Sequence, residues 1–208
     1  MKRAAGVLVV AVGLFAVAMS TQAQQTTPMK KAAGPPTISS VLQGQLGLVE
    51  SQVVAAAEAM PAEKYSFAPP SSDGNYTGVR TFAQEVKHVA TANYYFFDAI
   101  LGQPTPASIA SNKQNNGPDS IQTKEQILKY LKDSYALGHR AVATITPSNA
   151  TAVVSKPPVP FLNTRLALAS FACTHAFDHY GQMEEYLRMN GIVPPASQGQ
   201  PPANPGGK

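Results

Sequence analysis

Three histidines define the chemistry open to this chain. His175 and His179 lie four residues apart in FACTHAFDHYGQMEEYLRMNG. On a helix that spacing stacks two imidazoles on one face, one turn apart, so a single metal ion could be held from a rigid platform. The same spacing also suits a structural pair whose nitrogens are satisfied by hydrogen bonds. His88, in FAQEVKHVATANYYFF, is the third candidate, and metal chemistry requires that it meet the other two. His139, in SYALGHR, reads as a surface or packing residue and is left outside the site.

The elements that must position these rings show helical periodicity. Ile38, Val41, Leu42, Val49, Val53, Ala56 and Met60 recur at three- and four-residue steps, predicting a helix from about residue 38 to 60 that Pro61 stops. A second helix is predicted over about 78–101, with Phe82, Val86, Val89, Phe96 and Ile100 on its apolar side and Gly102 and Pro104 ending it. Thr123 followed by Gln126 is a capping-box pattern that opens a third helix reaching about Ile145. The fourth runs over about 161–190, with Gly191 at the left-handed cap position, Ile192 as the hydrophobic contact after it and Pro194 as the stop. No alternating strand pattern and no internal repeat intervene. The expectation is an all-α fold, a four-helix bundle.

At about 100° per residue, Leu168, Ala172, His175, His179, Met183 and Tyr186 fall along one line of the fourth helix, on the stripe that faces the bundle interior. Buried imidazoles are costly unless each polar nitrogen finds a partner. A metal would satisfy one nitrogen per ring, and neighbouring hydrogen bonds the other. His88 falls at the flank of its helix's apolar stripe, on a mixed face with Thr81, Gln84, Ala92 and Tyr95. Tyr95, Asp98, Asp178 and Tyr180 are the nearby polar candidates for supporting the rings or contacting a substrate. The two tyrosines read as packing residues and Asp178 as a solvated acid, so no catalytic residue is assigned.

Outside the helices, Met1–Arg3 supply positive charge, residues 4–19 form an apolar run, and Ser20–Ala23 offer small residues at a cleavage position. This predicts a signal peptide over 1–23, its apolar run at 4–19 too short to span a bilayer, hence a secreted or periplasmic protein with no membrane attachment after cleavage. A retained N-terminal anchor is the alternative. Residues 24–37 read as a flexible linker and 194–208 as a disordered Pro/Gly-rich tail, leaving 38–193 as one domain. Excluding residues 1–23, which carry two basic and no acidic side chains, the net charge falls from +4 to +2. No Lys/Arg cluster offers a phosphate-tracking surface, so nucleic acid is not an expected partner. Cys173 is the lone cysteine, excluding an internal disulfide, and its apolar neighbours predict buried packing.

The segments AEKYSFAPP, FAQEVKHVATANYYFF and HAFDHYGQMEEYLRMNGIVPP resemble the DinB/YfiT-like superfamily of metalloenzymes, and the resemblance extends over nearly all of residues 38–195. Its hallmark is one histidine on the second helix and an HxxxH pair on the fourth. Residue by residue these positions fall on His88, His175 and His179, and the following Gly181, Gln182, Tyr186, Leu187 and Arg188 also match. The resemblance implies a bundle with long cross-connections and a three-histidine site for a divalent metal ion. Imidazole suits zinc and nickel alike, and three ligands leave positions open for water or substrate. Members of this family are associated with metal-dependent hydrolysis and with thiol-dependent transferase and isomerase reactions. An exported chain meets little reduced low-molecular-weight thiol, which places a hydrolase-like reaction on a small molecule ahead of thiol transfer. A bundle that binds metal or a small ligand without turnover is the further alternative, and the resemblance also allows a homodimer.

Overall fold

The structure, a computed structural model, describes residues 34–110 and 114–199. The expected signal peptide, most of the linker and most of the tail lie outside the described residues. Four long helices carry the fold: α1 (Ile38–Ala59), α2 (Phe82–Leu101), α4 (Lys124–Ala143) and α5 (Arg165–Met189), with a single turn, α3 (Ala107–Ala110), between α2 and α4. Among the described residues the sole β-type pairing is an isolated bridge between Val153 and Thr164. The all-α expectation holds.

Local sequence sets the helix limits. Thr37, Thr81 and Thr123 each cap a helix in an extended conformation, the hydroxyl accepting from the backbone N–H three residues on and the side chain there returning a bond. These reciprocal pairs satisfy backbone donors that a first helical turn leaves exposed. The second helix therefore starts at Phe82 rather than near Gly78, whose φ of 80° is left-handed. The last starts at Arg165 rather than Phe161, because Thr164 accepts from the Ala167 N–H and Phe161 stays 83% exposed. Val41, expected on the apolar stripe, is 51% exposed; the buried seam of α1 runs through Leu42, Leu46, Val49, Val53 and Ala56.

Around the bundle the main contacts run α1 to α4, α4 to α2, α2 to α5 and α5 to α1. Consecutive long helices α1 and α2, and likewise α4 and α5, sit on diagonals, so the connections 60–81 and 144–164 cross the bundle ends. Side-chain bonds fix the directions. Lys87 Nζ donates to the Pro118 and Ile121 carbonyls, Thr91 bonds Tyr130 and Asn93 bonds Ser134, so α2 and α4 run parallel. The start of α4 meets the end of α1 instead, with Lys124 Nζ donating to the Glu58 and Met60 carbonyls. A parallel neighbour pair needs a return connection as long as the helices, and segment 102–123 provides it. That return carries residues 114–116 past α2.

Order extends past the expected limit at residue 193. Gly191, at φ 76°, reverses the chain; its N–H bonds the Arg188 carbonyl and the Ile192 N–H that of Leu187, the paired bonds of a Schellman cap. Pro194 is then buried, Pro195–Ser197 form a short 3₁₀ turn packed against α1, and Arg188 donates to Ser197 Oγ.

Gly138 of α4 sits at a close approach of the helices. A Cβ there would lie 2.5 Å from the Phe97 ring and 3.0 Å from Leu46 Cδ2, and Phe97 is fully buried. Alanine gains about 1 kcal/mol of helix propensity over glycine, but overpacking a filled core costs about 1–3 kcal/mol. Gly138→Ala is therefore expected to lower the urea unfolding midpoint; a raised midpoint would contradict the close α2–α4 approach.

Candidate metal centre

The packing of α2 against α5 brings the three predicted histidines together. One nitrogen from each of His88, His175 and His179 lies within 4.8 Å of the others, and the ring centroids are 4.6–5.1 Å apart. His179 is buried, and the other two are half-buried. One ring comes from α2 and two from successive turns of α5, as the spacing predicts.

Two of the rings are held from outside the triangle. His88 Nδ1 is 2.9 Å from the Asn115 carbonyl. A carbonyl only accepts, so Nδ1 carries the hydrogen, and in the neutral ring the Nε2 lone pair is bare. His179 Nδ1 lies 2.7 Å from Glu85 Oε2, and donation to that carboxylate fixes the same tautomer. Gln182 Nε2 stands 3.5 Å from the same nitrogen, too long to matter beside it. Second partners of this kind orient metal-binding rings and raise their basicity. His175 has no such support: its Nδ1 is buried without a hydrogen-bond partner, among the Phe96 and Phe171 rings. Buried polar atoms left unpaired are uncommon in stable folds and accompany function. An all-imidazole donor set with two tautomers fixed fits a borderline divalent cation such as zinc or nickel.

Glu85 and Asn115 are the residues that sequence reasoning missed. Glu85 is 2% exposed although it stands in the first turn of α2, where a carboxylate reads as a helix-dipole partner. Its position three residues before His88 puts both on one face, a signal that was present. Asn115 gave none, because its role comes from the carbonyl of a distant loop. Its φ of 55° makes it the one non-glycine residue in the left-handed region among the described residues, a conformation asparagine tolerates better than most.

The remaining candidates scatter. Tyr95 lines a cavity beside His88 and His175. Asp98 is buried at the far end of α2, bonded to Gln103. Asp178 is exposed, and Tyr180 donates to Glu184. His139 is remote, its two nitrogens facing Gln43 and Glu50 of α1. Cys173 is buried, which pushes its thiol up to about 11 and leaves it inert at neutral pH.

A family model of the DinB superfamily matches residues 45–183, a span that includes all three histidines and more than half of the chain. The chain therefore belongs to that superfamily. Among curated proteins none matches it.

Burial, then neighbouring positive groups, lowers His88 to about 4 and His175 to about 3. The unfolded chain titrates both near 6.5. Between these limits the unfolded state binds more protons, so stability of the metal-free protein falls as pH drops from about 6.5 through the folded values. The variant His175→Leu removes one such group. Its unfolding free energy relative to the parent is expected to improve by roughly 2 kcal/mol between pH 7 and pH 4, a fraction of the full linkage because partial exposure screens the charge. Chemical denaturation of metal-free protein at both pH values checks this; a constant difference would place His175 outside the desolvated cluster.

Proposed function

We propose that this DinB-superfamily chain holds one divalent metal ion, zinc or nickel, on His88, His175 and His179 and works as an exported metal-dependent hydrolase of a small molecule. The observation that carries the reading is the convergence of three imidazoles, two of them locked by Asn115 and Glu85 in the tautomer that leaves Nε2 bare. When bound, such an ion supplies Lewis acidity and a water of lowered pKa. The chain's own contribution is preorganisation. Glu85, buried against His179 Nδ1, would offset part of a bound cation's charge through that ring. Asn115 fixes the plane of the His88 ring. Phe96 and Phe171 shield His175 from water and so preserve its neutral, ligating form. Export rests on the charged, apolar and small-residue pattern of residues 1–23. Thiol transfer on the same triad is the alternative chemistry, and it requires a reduced thiol that an exported protein seldom meets.

Elemental analysis of purified protein is expected to give one equivalent of zinc or nickel, abolished in His175→Ala/His179→Ala. Undiminished metal in that variant would contradict the assignment. In a cobalt-substituted form, azide is expected to shift the visible spectrum, and an indifferent spectrum would favour a closed, non-catalytic site. Glu85→Gln keeps the hydrogen bond but removes its charge. A drop in zinc affinity of about 10–100-fold is expected in chelator competition, with stoichiometry preserved; unchanged affinity would show that Glu85 does not act on the ion.

A further inference from the structure

Two cavities of opposite character flank the histidine triangle. One, of about 650 Å³, is walled by polar side chains, among them Arg80, Gln84, Asn116 and Gln182. The other, of about 260 Å³, is walled by Ala92, Phe96, Val159 and Phe171, with His88 and His175 on its floor. Consecutive residues of the return connection border both: Gln114 and Asn116 line the polar cavity, Asn115 the apolar one.

Arg80 gives the polar cavity its sign. It is half-buried, its Nε donates to Asn116 Oδ1 at 2.8 Å, and its backbone carbonyl accepts from Tyr186 Oη at 3.0 Å. The guanidinium is thus tethered at Nε, while no carboxylate of the described residues forms an ion pair with it. The carboxylate on the same wall, Glu85, is 2% exposed and committed to His179. A fixed positive charge beside a triad that takes a cation works against metal affinity. Its placement there is accounted for if a ligand brings the compensating negative charge, and a guanidinium is the side chain best shaped to take a carboxylate or phosphate.

We infer that the ligand of this site is a small anion bearing an apolar group, its carboxylate or phosphate held at Arg80 and its apolar part seated against Phe96, Phe171 and Val159. Hydrolysis of an acyl linkage between the two parts would add water across it, the oxygen to the acyl carbon and the proton to the departing alcohol or amine. The volume of the apolar cavity suits a phenyl ring or a short acyl chain. This inference rests on the metal-site reading for its chemistry, though not for the anion contact itself.

The test titrates phenylacetate and its neutral isostere phenylacetamide into metal-free protein, so that the carboxylate cannot report on the ion. A charge-assisted pair favours the acid by about tenfold or more. That preference is expected to vanish in Arg80→Gln, persist in part in Arg80→Lys, and leave amide binding unchanged. Val159→Trp, which fills the apolar cavity from its loop side, is expected to weaken both probes while sparing acetate. Equal affinity for acid and amide, a preference that survives Arg80→Gln, or no binding of either probe would each overturn the inference. Zinc uptake by the same samples separates the two readings. Uptake without an acid preference sinks only the anion site, and an Arg80-dependent preference without uptake sinks only the metal.

Discussion

Three imidazoles withdrawn from water to within a few ångströms of one another impose the governing constraint on this fold. Each ring carries two polar nitrogens that lose hydration on burial, and no two rings can become charged at such separation without mutual repulsion. The surrounding elements answer that constraint unequally. Glu85 bonds the His179 ring and the Asn115 carbonyl the His88 ring, while His175 rests among aromatic rings with one nitrogen uncompensated. The asymmetry leaves His175 the least supported ring of the three.

The bundle topology serves the same end. Had α2 and α4 been antiparallel neighbours, a short turn would have joined them. Because they run parallel, the chain must travel back along the bundle, and in doing so it lays residues 114–116 across the mouth of the site. His139 shows the contrast. It too sits between helices, but Gln43 and Glu50 take up its two nitrogens, and that ring braces α4 against α1 with both nitrogens already partnered.

Much of this arrangement was legible in the sequence, and the exceptions share a cause. The His175/His179 pair could be read because both its geometry and its facing stripe repeat with the helical period. Gly191 and the Thr123 capping box are local signals whose partners lie within a few residues. The DinB likeness added His88, which its own helix face left ambiguous. Glu85 escaped because its burial depends on a partner 94 residues away, and Asn115 because its backbone does the work and side-chain patterns say nothing of it. The helix starts were placed too early at 78 and 161 for a related reason: the threonine caps at Thr81 and Thr164 outweigh apolar residues upstream. Gly138 carries no sequence signal for the close approach of Phe97, which depends on a partner from another helix.

The distance along the chain between His88 and the pair on α5 has a consequence for how the protein matures. A growing polypeptide emerges from its N-terminus, so the second and third imidazoles are made only when most of the chain already exists. Contacts of such long sequence separation form late, after the costly closure of the intervening loop. The triangle of rings is therefore completed only when α5 docks against α2.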